Sequence, residues 1–310
     1  MGILTIAEAK NYVNDQLVVG VAEDIITVNP IFAVFPYIGY DGHGVVVNRE
    51  SVLGDADTYD VNAEITHRNT SEVEQVTFTA TKIIGDADID NLIAAQSASS
   101  GIDHAAIEIS SKAKKIGRIF QTGIATGTGT SPALNSLHSL CAAEQFTTAS
   151  AGQGISFALL DELLDLVKAK DGQVDWIMMP PRTFRTYKTL LRALGGTPAD
   201  WVITLPDGRK TIGYEDIPIF KNEYLSVAET ANGAALTGGA LASVWAGVWD
   251  DGSMKTGLAG IHPSSVPAGI SVSQVGEMTD KDSETYRVKQ YVNTALFNRR
   301  GLARLTSIND

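Results

Sequence analysis

The stretch SGIDHAAIEISSKAKKIGRIFQTGIATGTGTSP, residues 100–132, organises this 310-residue chain. Ser100 followed three residues later by Asp103 has the form of a helix start, where a hydroxyl and a carboxylate satisfy free backbone amides. Ile102, Ala106, Ile109, Ala113, Ile116 and Phe120 then alternate spacings of four and three, which aligns them along one stripe of a helix. Running to about Gly123, such a helix is roughly 34 Å long at ~1.5 Å per residue. Its other face carries Lys112, Lys114, Lys115 and Arg118, and it runs into a loop of small residues at 125–132. The stripe alone is what any core helix shows. Its upstream neighbour is less ordinary.

Residues 44–47 and 73–81 are strand-like; in the second, Val76, Phe78 and Ala80 alternate with Thr77, Thr79 and Thr81. Between them residues 48–72 are polar and rich in turn formers. From 36 to 95 there are eleven acidic residues, including Asp55, Asp57, Asp60 and Glu64, against Arg49, Arg68 and Lys82 alone. Most of the chain's net negative charge lies in this segment. Two such strands reach tens of ångströms at ~3.3 Å per residue. An isolated two-stranded ribbon is marginal in water, so this arm needs a surface to lie on.

Upstream of the arm, Thr5-Ile6-Ala7-Glu8 is a capping box, and Ile6, Ala9, Val13 and Leu17 share a face, so residues 1–20 read as a short amphipathic helix. Downstream, from 155, the pattern turns α/β-like. Phe157, Leu160, Leu163, Leu164 and Val167 mark a helix, residues 174–179 a buried strand, and Phe184, Tyr187, Leu190, Leu191 and Leu194 a second helix with Pro181 near its start and Gly195-Gly196 at its end. A hairpin is expected around Pro206-Asp207-Gly208, an apolar strand at 241–249, and long strands from 270 to 305.

Bulk composition narrows the function. Lys and Arg number 24 against 36 Asp and Glu, a formal charge of −12, which argues against a protein that grips nucleic acid through its phosphates. Cys141 is the single cysteine, so neither an intrachain disulfide nor a cysteine-rich metal site is expected, and a reducing cytoplasm suits the chain. No apolar run approaches the ~20 residues of a membrane span. The first residues lack the basic start and apolar core of a secretory signal, and the N-terminus does not fit a myristoylation pattern.

Catalytic constellations are hard to find. Gly127-Thr128-Gly129-Thr130 follows a helix and lacks the Gly-Lys-Ser/Thr of a phosphate loop, so it reads as a turn. Asp86, Asp88 and Asp90 imitate a calcium loop, but Asn91 and Ser97 stand where glycine and glutamate are needed, and a solvated acidic turn is expected. His138 and Cys141 sit one helical turn apart, which reads as a buried thiol near a histidine rather than a nucleophile. The five histidines have no zinc spacing. Asp161, Glu162 and Asp165 fit the solvated side of a helix. No catalytic, cofactor or metal residue is assigned, and no enzymatic activity is expected.

The order of these parts resembles the major capsid proteins of tailed phages, the Hong Kong 97-type fold, over nearly the whole chain. The residues that carry the likeness are the helix end and turn (Ile116-Gly117-Arg118-Ile119-Phe120 through Gly127-Thr128-Gly129-Thr130-Ser131), the helix–strand–helix at 159–194, the proline-bearing strand Ile217-Pro218-Ile219-Phe220-Lys221-Asn222, and the closing strands at 269–275 and 288–305. The resemblance implies an α+β fold with an N-terminal arm (1–35), an E-loop with flanking strands (36–98), a P-domain with the spine helix (99–154), an A-domain (155–270) and C-terminal P-domain strands (271–310).

It further implies a structural subunit that self-assembles into pentamers and hexamers of an icosahedral head around double-stranded DNA, touching that DNA only non-specifically. The acidic E-loop, with Asp55, Asp57 and Glu64, would lie over a neighbour's spine helix and P-domain, meeting Lys112, Lys115, Arg118, Arg299 and Arg300. Arg287, Lys289 and Arg304 add to that basic C-terminal stretch. No lysine lies between Asp41 and Thr81, so the E-loop lysine–asparagine crosslink of some relatives is not expected. No scaffolding prefix is visible, so a separate scaffolding protein is expected, with a portal; the resemblance also allows a decoration protein, and no membrane is expected. Synthesis and assembly would occur in the host bacterial cytoplasm, and the product would be a virion capsid. The alternatives are an encapsulin-like nanocompartment shell and, remotely, a soluble α/β enzyme.

Overall fold

The computed structural model describes residues 34–66, 69–98, 104–149, 153–195, 202–205, 208 and 210–310. The helix expected at 1–20, the Ser100–Asp103 cap and most of the 206–208 turn lie outside them. The described chain opens with β1 (Tyr37–Tyr40), β2 (Val45–Val52), β3 (Glu72–Phe78) and β4 (Thr81–Asp90), then helices α1 (Asn91–Ala98) and α2 (His104–Thr126). A one-turn helix α3 (Leu137–Leu140), β5 (Phe146–Thr148), α4 (Phe157–Leu166), β6 (Trp176–Met179) and α5 (Pro181–Ala193) follow. Strands complete the chain: β7 (Val202–Thr204), β8 (Lys210–Tyr214), β9 (Ile217–Lys221), β10 (Ala242–Gly247), β11 (Leu258–Pro263), β12 (Ser271–Glu277), β13 (Ser283–Leu296) and β14 (Leu302–Ile308).

Seven strands form one mixed sheet in the order β5-β14-β10-β6-β9-β8-β7. β6 and β10 are buried along their whole length, as the near-continuous apolar sequences WIMM and ASVWAG require of strands covered on both faces. On one face, Leu159, Leu160 and Leu163 of α4 and Tyr187 of α5 pack over Ile177, Ile219, Val244 and Leu305. Ser156 caps α4 by accepting from the Leu159 amide, and α5 begins at Pro181 and is followed by Gly195 at φ +69°.

The opposite face presents Trp176, Met178, Phe220, Trp245 and Leu302 to a core shared with Ile116, Phe120 and Ile124 of α2. Ile109 and Ala113 continue that stripe partly buried, whereas Ala106 is exposed. Burying a ring such as that of Phe120 contributes about 1.5–3 kcal/mol, so this stripe holds α2 across the join between two sheets.

The second sheet has five strands. β13 is its spine: residues 293–296 pair with β11, and its earlier part is flanked by β12 on one side and β4 on the other. β1 extends the sheet in parallel on β11. β2 and β3 form a separate antiparallel ribbon, which is the expected arm.

One expectation changes. Asp86, Asp88 and Asp90 lie on a strand, not in a turn: β4 pairs with β13 over ten residues, buries Ile83, Ala87 and Ile89, and turns the three carboxylates outward. β14, within 271–310, belongs to the seven-stranded sheet, and β11, within 155–270, belongs to the other. The expected turn at 127–130 is a turn, closed by the Gly127 amide on the Gly123 carbonyl at 2.9 Å and the Gly129 amide on the Leu134 carbonyl at 3.1 Å.

Candidate subunit-contact surface

Among the described residues, the ribbon is fastened to the body at its base. Val45 and Phe78 are buried with Tyr40, Ala295 and Phe297, and the rings of Phe78 and Phe297 meet edge-on at 6.4 Å. Arg49 donates from Nε to the Phe297 carbonyl at 3.0 Å and from Nη2 to the Leu296 carbonyl, and its guanidinium lies 5.6 Å from the Phe78 ring centre. Directly across the ladder from Arg49 is Glu74, which pairs with Arg299. Burial, and then the charge of Arg299, push the Arg49 pKa down, with Glu74 acting in the opposite sense. A polar groove of about 570 Å³ adjoins this base, lined in part by Arg49, Lys255, Arg299 and Arg300.

Beyond Arg49 the arm leaves the body. Residues 50–66 and 69–75 are exposed throughout. Leu53 is 77% and Val61 86% exposed, and Val52, Ile65 and Val73 are also uncovered among Asp55, Asp57, Asp60 and Glu64. Exposed apolar side chains gathered on one projection have the composition of an interaction site.

The body carries an apolar surface with a basic rim. A groove of about 760 Å³ runs between β4, α2 and the turn after α2; Ile84 and Ile119 line it with Lys115, Arg118, Thr122 and Tyr224. Ile84 and Ile119 are 48% and 41% exposed. The Tyr224 hydroxyl at its edge is buried without a hydrogen-bond partner among the described residues.

The expected contact residues divide four ways. Lys115 and Arg118 rim this groove. Lys112 lies against β4 of its own chain, where its charge adds to the two hydrogen bonds from Arg287, at 2.9 and 2.8 Å, that hold the Asp86 pKa below the usual carboxylate range. Arg299 is engaged within its own chain by Glu74, and Arg300 is exposed beside it. Asp55, Asp57 and Glu64 are exposed on the distal arm.

Arg304 does not belong on this surface. It is fully buried in β14, where Nη2 bonds the Glu229 carboxylate at 3.0 Å and Nε the Ser243 hydroxyl at 3.0 Å, while Nη1 lies 2.6 Å from His138 Nδ1. Its guanidinium also stacks 5.0 Å from the Trp245 ring centre. Partners 61 to 166 residues away in sequence gave no local sign of this burial. The Arg49–Glu74 pairing was missed too, though aligning residues 44–47 with 73–81 as a hairpin would have placed the two opposite each other.

The chemistry around Cys141 argues against a nucleophile. Burial pushes its thiol pKa up to about 12 despite nearby Arg304, and burial and then Arg304 hold His138 below its ordinary value. Among the described residues no group of three or more His, Cys, Asp or Glu side chains is placed to hold a metal ion. Among them, too, no helix is long and apolar enough to cross a membrane.

No protein-family model matches the chain, and no curated relative is similar to it. Solved structures are similar over its full length. The encapsulin SrpI of Synechococcus elongatus PCC 7942 aligns over 99% of this chain and 96% of its own, with 17% identity and a TM-score of 0.67. The capsid of cyanophage A-1(L) aligns over 99% and 100%, with 8% identity and a TM-score of 0.71. The capsid of the myovirus phage XM1 aligns over 99% of each, with 13% identity and a TM-score of 0.62. The likeness runs over the full length of the chain, which has the Hong Kong 97-type major capsid protein fold.

Proposed function

We propose that this chain is the major capsid protein of a tailed phage, a structural subunit that self-assembles into the pentamers and hexamers of an icosahedral head enclosing double-stranded DNA. One observation carries the reading. A single chain bears both an acidic arm with uncovered apolar residues and, elsewhere, an apolar groove rimmed by Lys115 and Arg118. Two different complementary patches on one molecule favour head-to-tail association, which closes into rings.

In this reading the arm of one copy, through Leu53, Val61 and Ile65, lies in the groove between β4 and α2 of the next. Asp55, Asp57 and Glu64 meet Lys115 and Arg118, and Arg300 is available to the same neighbour. Arg299 acts differently, steadying the arm's base from within. Lys112 contributes partly through Asp86. Charge pairing of this kind steers and registers assembly, and buried apolar area supplies most of the affinity. A separate scaffolding protein, a portal and a decoration protein are partners such a shell would use. The subunit would be made and assembled in the host bacterial cytoplasm and end in the virion. Packaged DNA would be touched non-specifically, and no catalytic step is assigned.

Electron microscopy of the purified chain, alone and with a candidate scaffold, tests this. Closed shells, tubes or rings of five and six are expected; a 33.0 kDa monomer under both conditions contradicts it. The similarity to SrpI supports a second reading, a cellular nanocompartment. Shell contents separate the two: nuclease-protected DNA favours the head, enclosed protein the compartment.

A further inference from the structure

The layer that covers the seven-stranded sheet is charged in an unusual way. α4 turns Asp161, Glu162 and Asp165 away from the sheet and carries no basic residue. α5 carries Arg182, Arg185, Lys188 and Arg192 and no acidic one. Both helices rest on the same face of the sheet, so an acidic ridge and a basic ridge stand in one layer.

They do not neutralise each other. Among the described residues no ion pair joins the two helices. Asp161 accepts instead from the Tyr214 hydroxyl, and Glu162 from the Thr147 hydroxyl at 3.1 Å. Arg182 donates to the Ala240 carbonyl at 2.8 Å, and the Lys188 ammonium lies 4.7 Å from the Phe184 ring centre. Asp165, Arg185 and Arg192 are exposed.

We propose that the acidic ridge of α4 on one copy docks against the basic ridge of α5 on a second copy of this chain. The inference rests on the shell reading and adds a contact separate from the arm and groove. Each copy carries both halves at different places, so the contact is heterologous and can propagate around a ring. A polyanion such as a nucleic-acid backbone is the other class of partner for α5. It is disfavoured because it would lie beside the carboxylates of α4 in the same layer. Rim charges of this type set orientation and association rate, and like-charge juxtaposition penalises a wrong register.

The test is a charge swap. Glu162→Lys with Asp165→Lys reverses one ridge, and Arg185→Glu with Arg192→Glu reverses the other; Asp161 and Arg182 are left in place because they bond within the chain, and Glu162 gives up only its exposed bond from the Thr147 hydroxyl, a loss the thermal melts register. Each double variant is expected to lower shell yield about tenfold, the effect of ~1.4 kcal/mol per contact. The quadruple variant should return to within about twofold of the unaltered chain, with thermal melts matching throughout. Normal shells from both double variants, or a quadruple variant no better than either, overturn the proposal while leaving the shell reading intact.

If Arg185→Glu with Arg192→Glu forms normal shells that merely lose DNA, a polyanion is the partner and the proposal fails. If the unaltered chain forms no shells, the shell reading fails and this contact with it. Where a double variant does not fold, carbodiimide coupling in shells mixed from isotopically heavy and light chains decides. A heavy–light peptide joining Lys188 to Glu162 or Asp165 supports the contact, and its absence overturns it.

Discussion

Arg304 and Glu229 form a 3.0 Å ion pair in which the arginine side chain is fully buried and the glutamate is 4% exposed. The pair ties β14 to the loop preceding β10, and Gly233 makes room for it: a Cβ there would stand 2.1 Å from Arg304 Nη2, at a φ of +62°. Removing one partner of such a pair leaves a buried charge uncompensated. Arg304→Met is expected to destabilise the subunit by about 3–5 kcal/mol, and Arg304→Met with Glu229→Leu to recover much of that loss. Urea unfolding of the unassembled subunit reads both.

His138, next to Arg304, gives that pair a pH dependence. Its pKa is lowered in the folded chain by burial and by Arg304, so the unfolded chain binds the extra proton more readily. The corresponding stability is present above the ordinary imidazole value of about 6.5 and is lost as pH falls below it toward the lowered folded value. Melting temperatures should therefore decline over that window, and His138→Gln should flatten the decline. An unchanged slope in the variant contradicts the assignment.

Cys141 should be chemically quiet in the folded subunit. With its thiol pushed up to about 12, alkylation at pH 8 is expected to run on the order of a thousandfold slower than in the denatured chain. Timed labelling with iodoacetamide checks this.

Arg49 anchors the arm through two backbone carbonyls of the 296–297 segment. Arg49→Ala is expected to cost about 1–3 kcal/mol locally, the scale of hydrogen bonds from a charged donor. Hydrogen exchange should rise in residues 72–78 and stay unchanged in α4 and β10. Shell assembly should slow because the arm no longer leaves the body at a fixed angle.

Local periodicity made much of this fold legible. The stripe Ile109, Ala113, Ile116, Phe120 is the buried side of α2, and the alternation of Val76 and Phe78 with threonines is the ladder of β3. β4 escaped because its outward positions are Asp86, Asp88 and Asp90, which look like turn chemistry; the inward series Ile83, Ala87, Ile89 was the readable signal. The sheet to which β14 belongs is set by pairing with β10 some sixty residues earlier, and no local pattern records it. The contact surface divided similarly. Lys115 and Arg118 stood out on a helix face, whereas the groove beside them needs β4 and Tyr224 brought in from distant sequence.

Reversing the groove's rim should separate folding from assembly. Lys115→Glu with Arg118→Glu is expected to leave the subunit's melting temperature within a few degrees and to lower shell yield strongly, by sedimentation. Adding Lys112→Glu would also disturb the neighbouring Asp86 in the same chain, so the double variant is the cleaner test.

The most direct measurement is cryo-electron microscopy of the assembled particle at side-chain resolution. The account predicts density for residues 53–65 of one copy lying over β4 and α2 of another, with Leu53 or Val61 against Ile84 and Ile119. An arm that folds back on its own body, or stands in solvent while closed shells form, would contradict it.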